Sequence, residues 1–296
     1  MRASPLSRLA WTTLAFNVAV VLFGAVVRAT GSGAGCGSDW PVCQGSVVPF
    51  SPSTETLIEF THRATSGIAL VLVIVLVVRV RRAFPAPSRI GQAAIASGVL
   101  IVVEALIGAG LVLFEWVGED TSIARAVATV LHLANTFLLL GVLTLTALWL
   151  SGRPAPDWRH FRSRAYAVGG GLLLLTAALG ALAALGDTLF PPEDVAAFHR
   201  DLSGALLERM RWLHPLSAVI TAGVVLGVSR RMERASGAPG RWVFWLVLIQ
   251  VGIGIANVAL FAPLAMQVVH LLAADVLWIA YVVGTSESLA AERVAA

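Results

Sequence analysis

The stretch Glu59-Phe60-Thr61-His62-Arg63-Ala64-Thr65-Ser66-Gly67 opens into Ile68-Ala69-Leu70-Val71-Leu72-Val73-Ile74-Val75-Leu76-Val77-Val78 and stops at Arg79-Val80-Arg81-Arg82. A long uncharged run closed by a basic cluster is the pattern of a helix that crosses a bilayer and ends at its cytoplasmic face. A histidine stands at its other end, where an ionisable side chain inside a membrane tends to serve function. The same plan returns later: Glu208 leads to Trp212-Leu213-His214-Pro215, an apolar run follows, and Arg230 and Arg231 end it. Two further pairs match. Val130-Leu131-His132-Leu133-Ala134 resembles Val268-Val269-His270-Leu271-Leu272, and Glu104-Ala105-Leu106-Ile107-Gly108 resembles Gln250-Val251-Gly252-Ile253-Gly254. An internal duplication accounts for all three pairs.

Working outward, apolar segments fall at residues 9–27, 60–78, 90–113, 123–150, 166–186, 211–229, 242–260 and 265–284. The last two form one nearly uncharged stretch, too long for a single crossing of about 30 Å. Pro263 marks the hairpin between them, because proline ends helices and favours turns. The first segment follows only Arg2 and Arg8 and ends in Val26-Val27-Arg28 without a small-residue cleavage site, so it reads as a retained span. Composition agrees: 57% of residues are hydrophobic and 13% charged, against about 25% charged in soluble domains. The sequence predicts an all-α membrane protein of eight transmembrane helices. They form two tandem four-helix bundles, 1–152 and 153–296, related by a pseudo-two-fold axis along the membrane normal.

All 21 basic residues are arginine, and 15 fall in segments that are cytoplasmic if the N-terminus is inside. The positive-inside rule therefore predicts a multi-pass cell-membrane protein in contact with lipid, with both termini cytoplasmic. The charge of +4 does not indicate a nucleic-acid partner, since no basic face or reading motif accompanies it. Residues Ser286 to Ala296 read as a short solvated tail.

Of six histidines, His160 and His199 fall in loops and read as solvated. His62, His132, His214 and His270 occupy the first turns of the second, fourth, sixth and eighth spans, all near the outer surface. A heme iron takes two axial ligands from opposite faces, and imidazole is a common one. Parallel helices carrying one histidine each at matched depth can clamp a porphyrin. Small residues such as Gly98, Gly108, Gly110, Gly180, Gly252 and Gly254 leave room for it. The plainer alternative is four polar side chains satisfied by backbone carbonyls. Zinc or copper is weaker, because no second ligand stands three or four residues from any of the four.

The loop Arg28-Ala29-Thr30-Gly31-Ser32-Gly33-Ala34-Gly35-Cys36-Gly37-Ser38-Asp39-Trp40-Pro41-Val42-Cys43-Gln44-Gly45 holds both cysteines of the chain. On the outer, oxidising side, in so short and glycine-rich a loop, Cys36 and Cys43 are expected to form a disulfide, either a staple or redox-active. The spacing is not Cys-x-x-Cys-His, which disfavours covalent heme attachment.

This loop, followed by Glu59-Phe60-Thr61-His62-Arg63 and the three further histidines, resembles the signature of the heme A synthases, over essentially the whole chain. The resemblance implies eight helices in two halves and oxidation of a methyl substituent of heme O to a formyl group. That oxidation runs through two hydroxylations and loss of water, and it supplies heme A to terminal oxidases. It implies His62 and His132 as axial positions for the substrate heme, and His214 and His270 as ligands of a resident heme b. Cys36 and Cys43 match the outer-loop pair of that family; a second pair found in some members is missing here. Partners implied are heme O, the enzyme that makes heme O, and a quinone or other electron acceptor.

Glu59 lies three residues before His62 and shares its helix face. Oxidising a methyl group releases protons, so Glu59 is the expected base; the alternative is a carboxylate favoured by the helix dipole. Glu208 lies six positions before His214, which points to the first half as the reacting one. Arg28 and Arg63 are candidate partners for heme propionates or simple interfacial anchors. Glu104 and Asp275, the acids inside spans, either line a proton route or pack as hydrogen-bonded groups. The same histidines would also serve a non-catalytic diheme cytochrome b that passes electrons from quinol. The Glu59 and cysteine features argue against it. A transporter or heme-handling factor is weaker still, since no pair of broken helices is evident.

Overall fold

The structure, a computed structural model, describes residues 4–156, 164–191 and 206–294. Arg2, Arg159, His160, Arg162, His199 and Arg200, together with the side chains of Glu208 and Arg293, lie outside the described set. Among the described residues, eight helices are long and apolar enough to cross a membrane. They are α1 Pro5–Ala29, α2 Thr54–Ala83, α3 Arg89–Leu113, α4 Ile123–Leu150, α5 Arg164–Leu189, α6 Leu213–Ser236, α7 Ala238–Ala259 and α8 Leu264–Val294. A single helical turn, Leu206–Met210, precedes α6. No strand forms among the described residues, and Cys43–Ser46 makes one isolated bridge. The all-α, eight-span architecture read from sequence is the one observed, and the fold is that of a multi-pass membrane protein.

Several helices start before their apolar segment because a cap, not hydropathy, sets the end. Ser4, Ser53, Ser88 and Ser122 each accept a hydrogen bond from a backbone N–H three residues on, with distances of 3.1, 3.2, 3.2 and 3.1 Å. This satisfies donors that a helix start leaves free, at a gain of about 1 kcal/mol each. Pro215 sits in the first turn of α6, where its missing N–H costs nothing. Gly237 alone joins α6 to α7, with φ 73°. The turn from α7 to α8 passes through Phe261 and Ala262, both at positive φ, and then Pro263, at the hairpin expected there.

In the first half each helix packs on the next, and α4 closes back on α1. In the second half α5 packs on α6, α6 on α7 and α7 on α8, and α8 also meets α6 and α5. The halves meet through α1 and α4 against α5 and α8. One apolar cluster runs across them, including Leu14, Val73, Leu140 and Leu143 with Val225, Met232, Trp278 and Tyr281. Within it the Trp278 indole donates to the Phe137 carbonyl at 2.6 Å. Outward-facing side chains such as Val71, Val99, Leu106, Val219, Trp242 and Ile255 are exposed, as a lipid-facing surface requires.

One expectation is corrected. Residues Ser286 to Glu292 are not part of a solvated tail, because α8 runs through them to Val294; Ala295 and Ala296 lie outside the described residues. Ser286 and Ser288 are fully buried. Ser286 accepts from the Trp149 indole at 3.2 Å, Ser288 meets Ser236 at 3.0 Å, and Glu292 accepts from the Tyr166 hydroxyl at 3.0 Å. The polar residues that lower hydropathy there face neighbouring helices.

Candidate functional site

The loop after α1 is closed by the expected Cys36–Cys43 disulfide, and both cysteines are buried. It lies on the first turns of α2. The Thr56 hydroxyl donates to the Gly35 carbonyl at 2.7 Å, and Gln44 donates to the same carbonyl at 3.1 Å. A side chain on residue 35 would come within 2.5 Å of the Glu55 backbone, so only glycine fits. Glu59 is buried beneath this loop. Its Oε2 accepts from the Cys36 N–H at 2.7 Å, and its Oε1 is ion-paired with Arg63. Arg63 also donates to the carbonyls of Asp39 and Val42. Glu59 and Arg63 thus tie the disulfide loop to α2. A carboxylate offers about four acceptor positions, so two bonds leave Glu59 able to accept a proton.

His62 stands one residue before Arg63. Its ring lies against Gly24 of α1, where an added Cβ would be 3.1 Å from Cε1, and edge-on to Phe23 at 5.9 Å between centroids. His62 Nδ1 is buried with no hydrogen-bond partner among the described residues. His132 lies against Gly108 of α3, 3.8 Å from where a Cβ would stand, and its Nδ1 is 3.2 Å from Glu104 Oε1 without an aligned hydrogen bond. Glu104 also receives Asn135 Nδ2 at 2.5 Å and the Thr136 hydroxyl.

In the second half His214 lies against Gly180 of α5 and His270 against Gly254 of α7, where added Cβ atoms would be 3.0 and 3.2 Å from their rings. His214 Nδ1 is 3.0 Å from the Thr176 carbonyl. Gln250 stands 3.4 Å from both ring nitrogens of His270 and donates to its carbonyl at 3.2 Å. The two rings are 6.1 Å apart between centroids, with planes 87° apart. Two imidazoles that bind one metal from opposite sides hold their centres roughly 6 Å apart, given nitrogen–metal bonds of about 2 Å. The donor set fits the same reading. Among the described residues no three His, Cys, Asp or Glu gather as a cage for a bare ion. Two histidines suffice for an ion that brings equatorial ligands of its own, as heme iron does.

Each odd-numbered helix therefore presents a glycine to the histidine of the helix after it, four times over. Of the glycines singled out from sequence, Gly108, Gly180 and Gly254 fill this role, whereas Gly98 faces Val77 and Gly252 faces open space. Gly24 was missed. Its signal is the match of Phe23-Gly24-Ala25 to Leu179-Gly180-Ala181. Asn135, Thr136, Gln250 and the Thr176 carbonyl were also missed as partners. Arg28 turns to the second half, donating to the Ala184 carbonyl, the Thr188 hydroxyl and, at 2.7 Å, Gln267 Oε1. Asp275 is fully buried, and neither oxygen has a hydrogen-bond partner among the described residues.

Comparison with known proteins adds to this geometry. A Thermus thermophilus protein named protoheme IX farnesyltransferase is 44% identical over 291 residues, covering 94% of this chain and 48% of that protein. A protein of Exiguobacterium sibiricum named heme A synthase is 32% identical over 141 residues, covering 48% of this chain and 45% of its own. One from Halalkalibacterium halodurans with the same name is 36% identical over 141 residues, 47% of this chain and 45% of its own. This chain spans about half the length of the Thermus relative. The family model for COX15-CtaA, described as cytochrome oxidase assembly protein, matches residues 7–282. The chain belongs to the COX15-CtaA family.

Proposed function

We propose that this chain is a heme A synthase, an oxidoreductase that converts a methyl substituent of heme O to a formyl group for terminal oxidases. The observation that carries the reading is the fourfold glycine–histidine register, in which four imidazoles lie in matched slots between helices. The names of the relatives from Exiguobacterium and Halalkalibacterium point the same way. The Thermus name, farnesyl transfer to protoheme IX, describes how heme O arises, so heme O synthase is a natural partner.

In this reading residues 1–152 and 153–296 are two four-helix halves about a pseudo-two-fold axis along the membrane normal. The protein sits in the cell membrane with both termini cytoplasmic. His62 and His132 hold the substrate iron, and His214 and His270 hold heme b. Heme b, when bound, supplies a one-electron relay toward a quinone or another acceptor. Glu59 takes up the protons that each oxidation of the methyl group releases. Its bonds to Cys36 N–H and Arg63 hold the carboxylate beneath the disulfide loop, and each hydroxylation takes its oxygen from water while two electrons and two protons leave the methyl carbon. Arg63 on α2 and Arg28 at the end of α1 would meet propionates by exchanging bonds they now make, Arg63 those to Asp39 and Val42 and Arg28 those to Ala184, Thr188 and Gln267.

The test is expression beside a heme O source in a host lacking heme A, followed by extraction and identification of the hemes. Heme A is expected, and His62→Ala should abolish it while leaving heme b. Tightly bound heme b with heme O unconverted would replace this reading with a diheme electron carrier.

A further inference from the structure

The two slots differ in what stands behind the second histidine of each. Glu104 on α3 and Gln250 on α7 occupy matching places in the repeated sequence, each four residues before the glycine that faces the ring. One offers His132 a carboxylate acceptor, whereas the other turns its amide N–H, a donor, toward the His270 ring. A histidine that binds a metal almost always donates its second ring N–H to an acceptor such as this carboxylate. That partner fixes the tautomer and raises the donor strength of the ligating nitrogen.

Resting on the heme assignment above, we propose that Glu104 is a positioning residue that accepts His132 Nδ1–H and presents Nε2 to the iron of the first site. It makes His132 a stronger donor than His270 and so sets the first iron at a lower potential than the second. The carboxylate is already placed for this. Asn135 and Thr136 hold it from the α4 side, so it cannot turn away from the ring. Its Oε1 already stands 3.2 Å from His132 Nδ1. Such bonds are commonly loose before a ligand seats and tighten afterwards. A stronger donor favours the oxidised iron, so an electron arriving at the first site runs downhill to the second. The asymmetry thus gives the relay a direction, which identical halves would lack.

The experiment uses the full chain purified in lipid nanodiscs and loaded with iron protoporphyrin IX as the probe. His214→Ala with His270→Ala isolates the first site, and His62→Ala with His132→Ala isolates the second. Redox titration and resonance Raman detection of the iron–histidine bond are the readouts. Glu104→Gln should raise the first-site potential by about 59 mV, a tenfold change in the ratio of oxidised to reduced affinity for this one-electron couple. It should also weaken the iron–nitrogen stretch. Glu104→Asp should keep part of the effect, and Gln250→Glu should lower the second-site potential by a similar amount. Heme bound in the first site with potential and stretch unmoved by Glu104→Gln would overturn this inference and leave the functional reading standing. Failure of the first site to bind the probe at all would take both down. Should Glu104→Gln not fold, an unchanged second-site potential in Gln250→Glu would overturn it alone.

Discussion

At the scale of single residues, Glu59 carries two duties that a substitution can separate. Its Oε2 accepts from Cys36 N–H, a bond that a glutamine oxygen can also accept. Glu59→Gln should leave the loop seated yet slow heme A formation by about 10²- to 10⁴-fold, the usual contribution of a positioned base. Glu59→Ala should lose both, with a lower melting temperature as well. Timed heme extraction beside thermal denaturation separates the two effects. A Glu59→Gln protein of ordinary rate would leave Glu59 with only the tethering role. The histidines and Glu59 were legible from sequence because polar groups inside apolar runs are rare and costly. The acceptor behind His214 was not, since the Thr176 carbonyl belongs to the backbone and leaves no trace in residue type. Glu104 was visible as an anomaly, but its alignment with His132 depends on how α3 rotates against α4.

At the scale of elements, the slots depend on residues that contribute no atoms. Gly180→Val places a branched side chain where Cβ alone would be 3.0 Å from the His214 ring. Overpacking of this kind costs about 1–3 kcal/mol, and it should appear as loss of the second-half heme from the purified protein, read by its absorbance. Gly252→Val, whose Cβ meets nothing, is the control and should retain it. The disulfide loop is a second such element. Cys36→Ser with Cys43→Ser opens a seven-residue closure, worth about 2 kcal/mol by the chain-entropy account. Its melting temperature should fall, with reductant lowering the parent in parallel. Helix number and the α7–α8 hairpin were legible because hydropathy and Pro263 mark them. The ends were less so, as serine caps extend α1, α2 and α3 beyond their apolar cores. The end of α8 was misread because buried serines look like solvated ones in a linear sequence.

At the scale of the whole molecule, the halves are joined by packing and by a few polar ties, of which Arg28 is the richest. Its guanidinium reaches Ala184 and Thr188 on α5 and Gln267 on α8. Hydrogen bonds from a charged donor contribute about 1.5–3 kcal/mol each. Arg28→Leu should therefore lower the melting temperature measurably, and Gln267→Leu should do so less. If Arg28→Leu instead melted with the parent while losing substrate affinity, the tie would be incidental and a propionate role favoured. Repeats in the sequence suggested two halves, but nothing in the sequence foretold that Arg28 would bind α5 and α8.

The Arg28 tie also bears on how the molecule is made. Arg28 lies at the end of α1, and Gln267 follows 239 positions later, at the start of α8. While the six helices between them enter the bilayer, the guanidinium lacks a partner that has not been synthesised. α1 therefore cannot reach its final set of contacts until α8 has arrived. A chain stopped before α8 would hold that arginine by its α5 contacts alone.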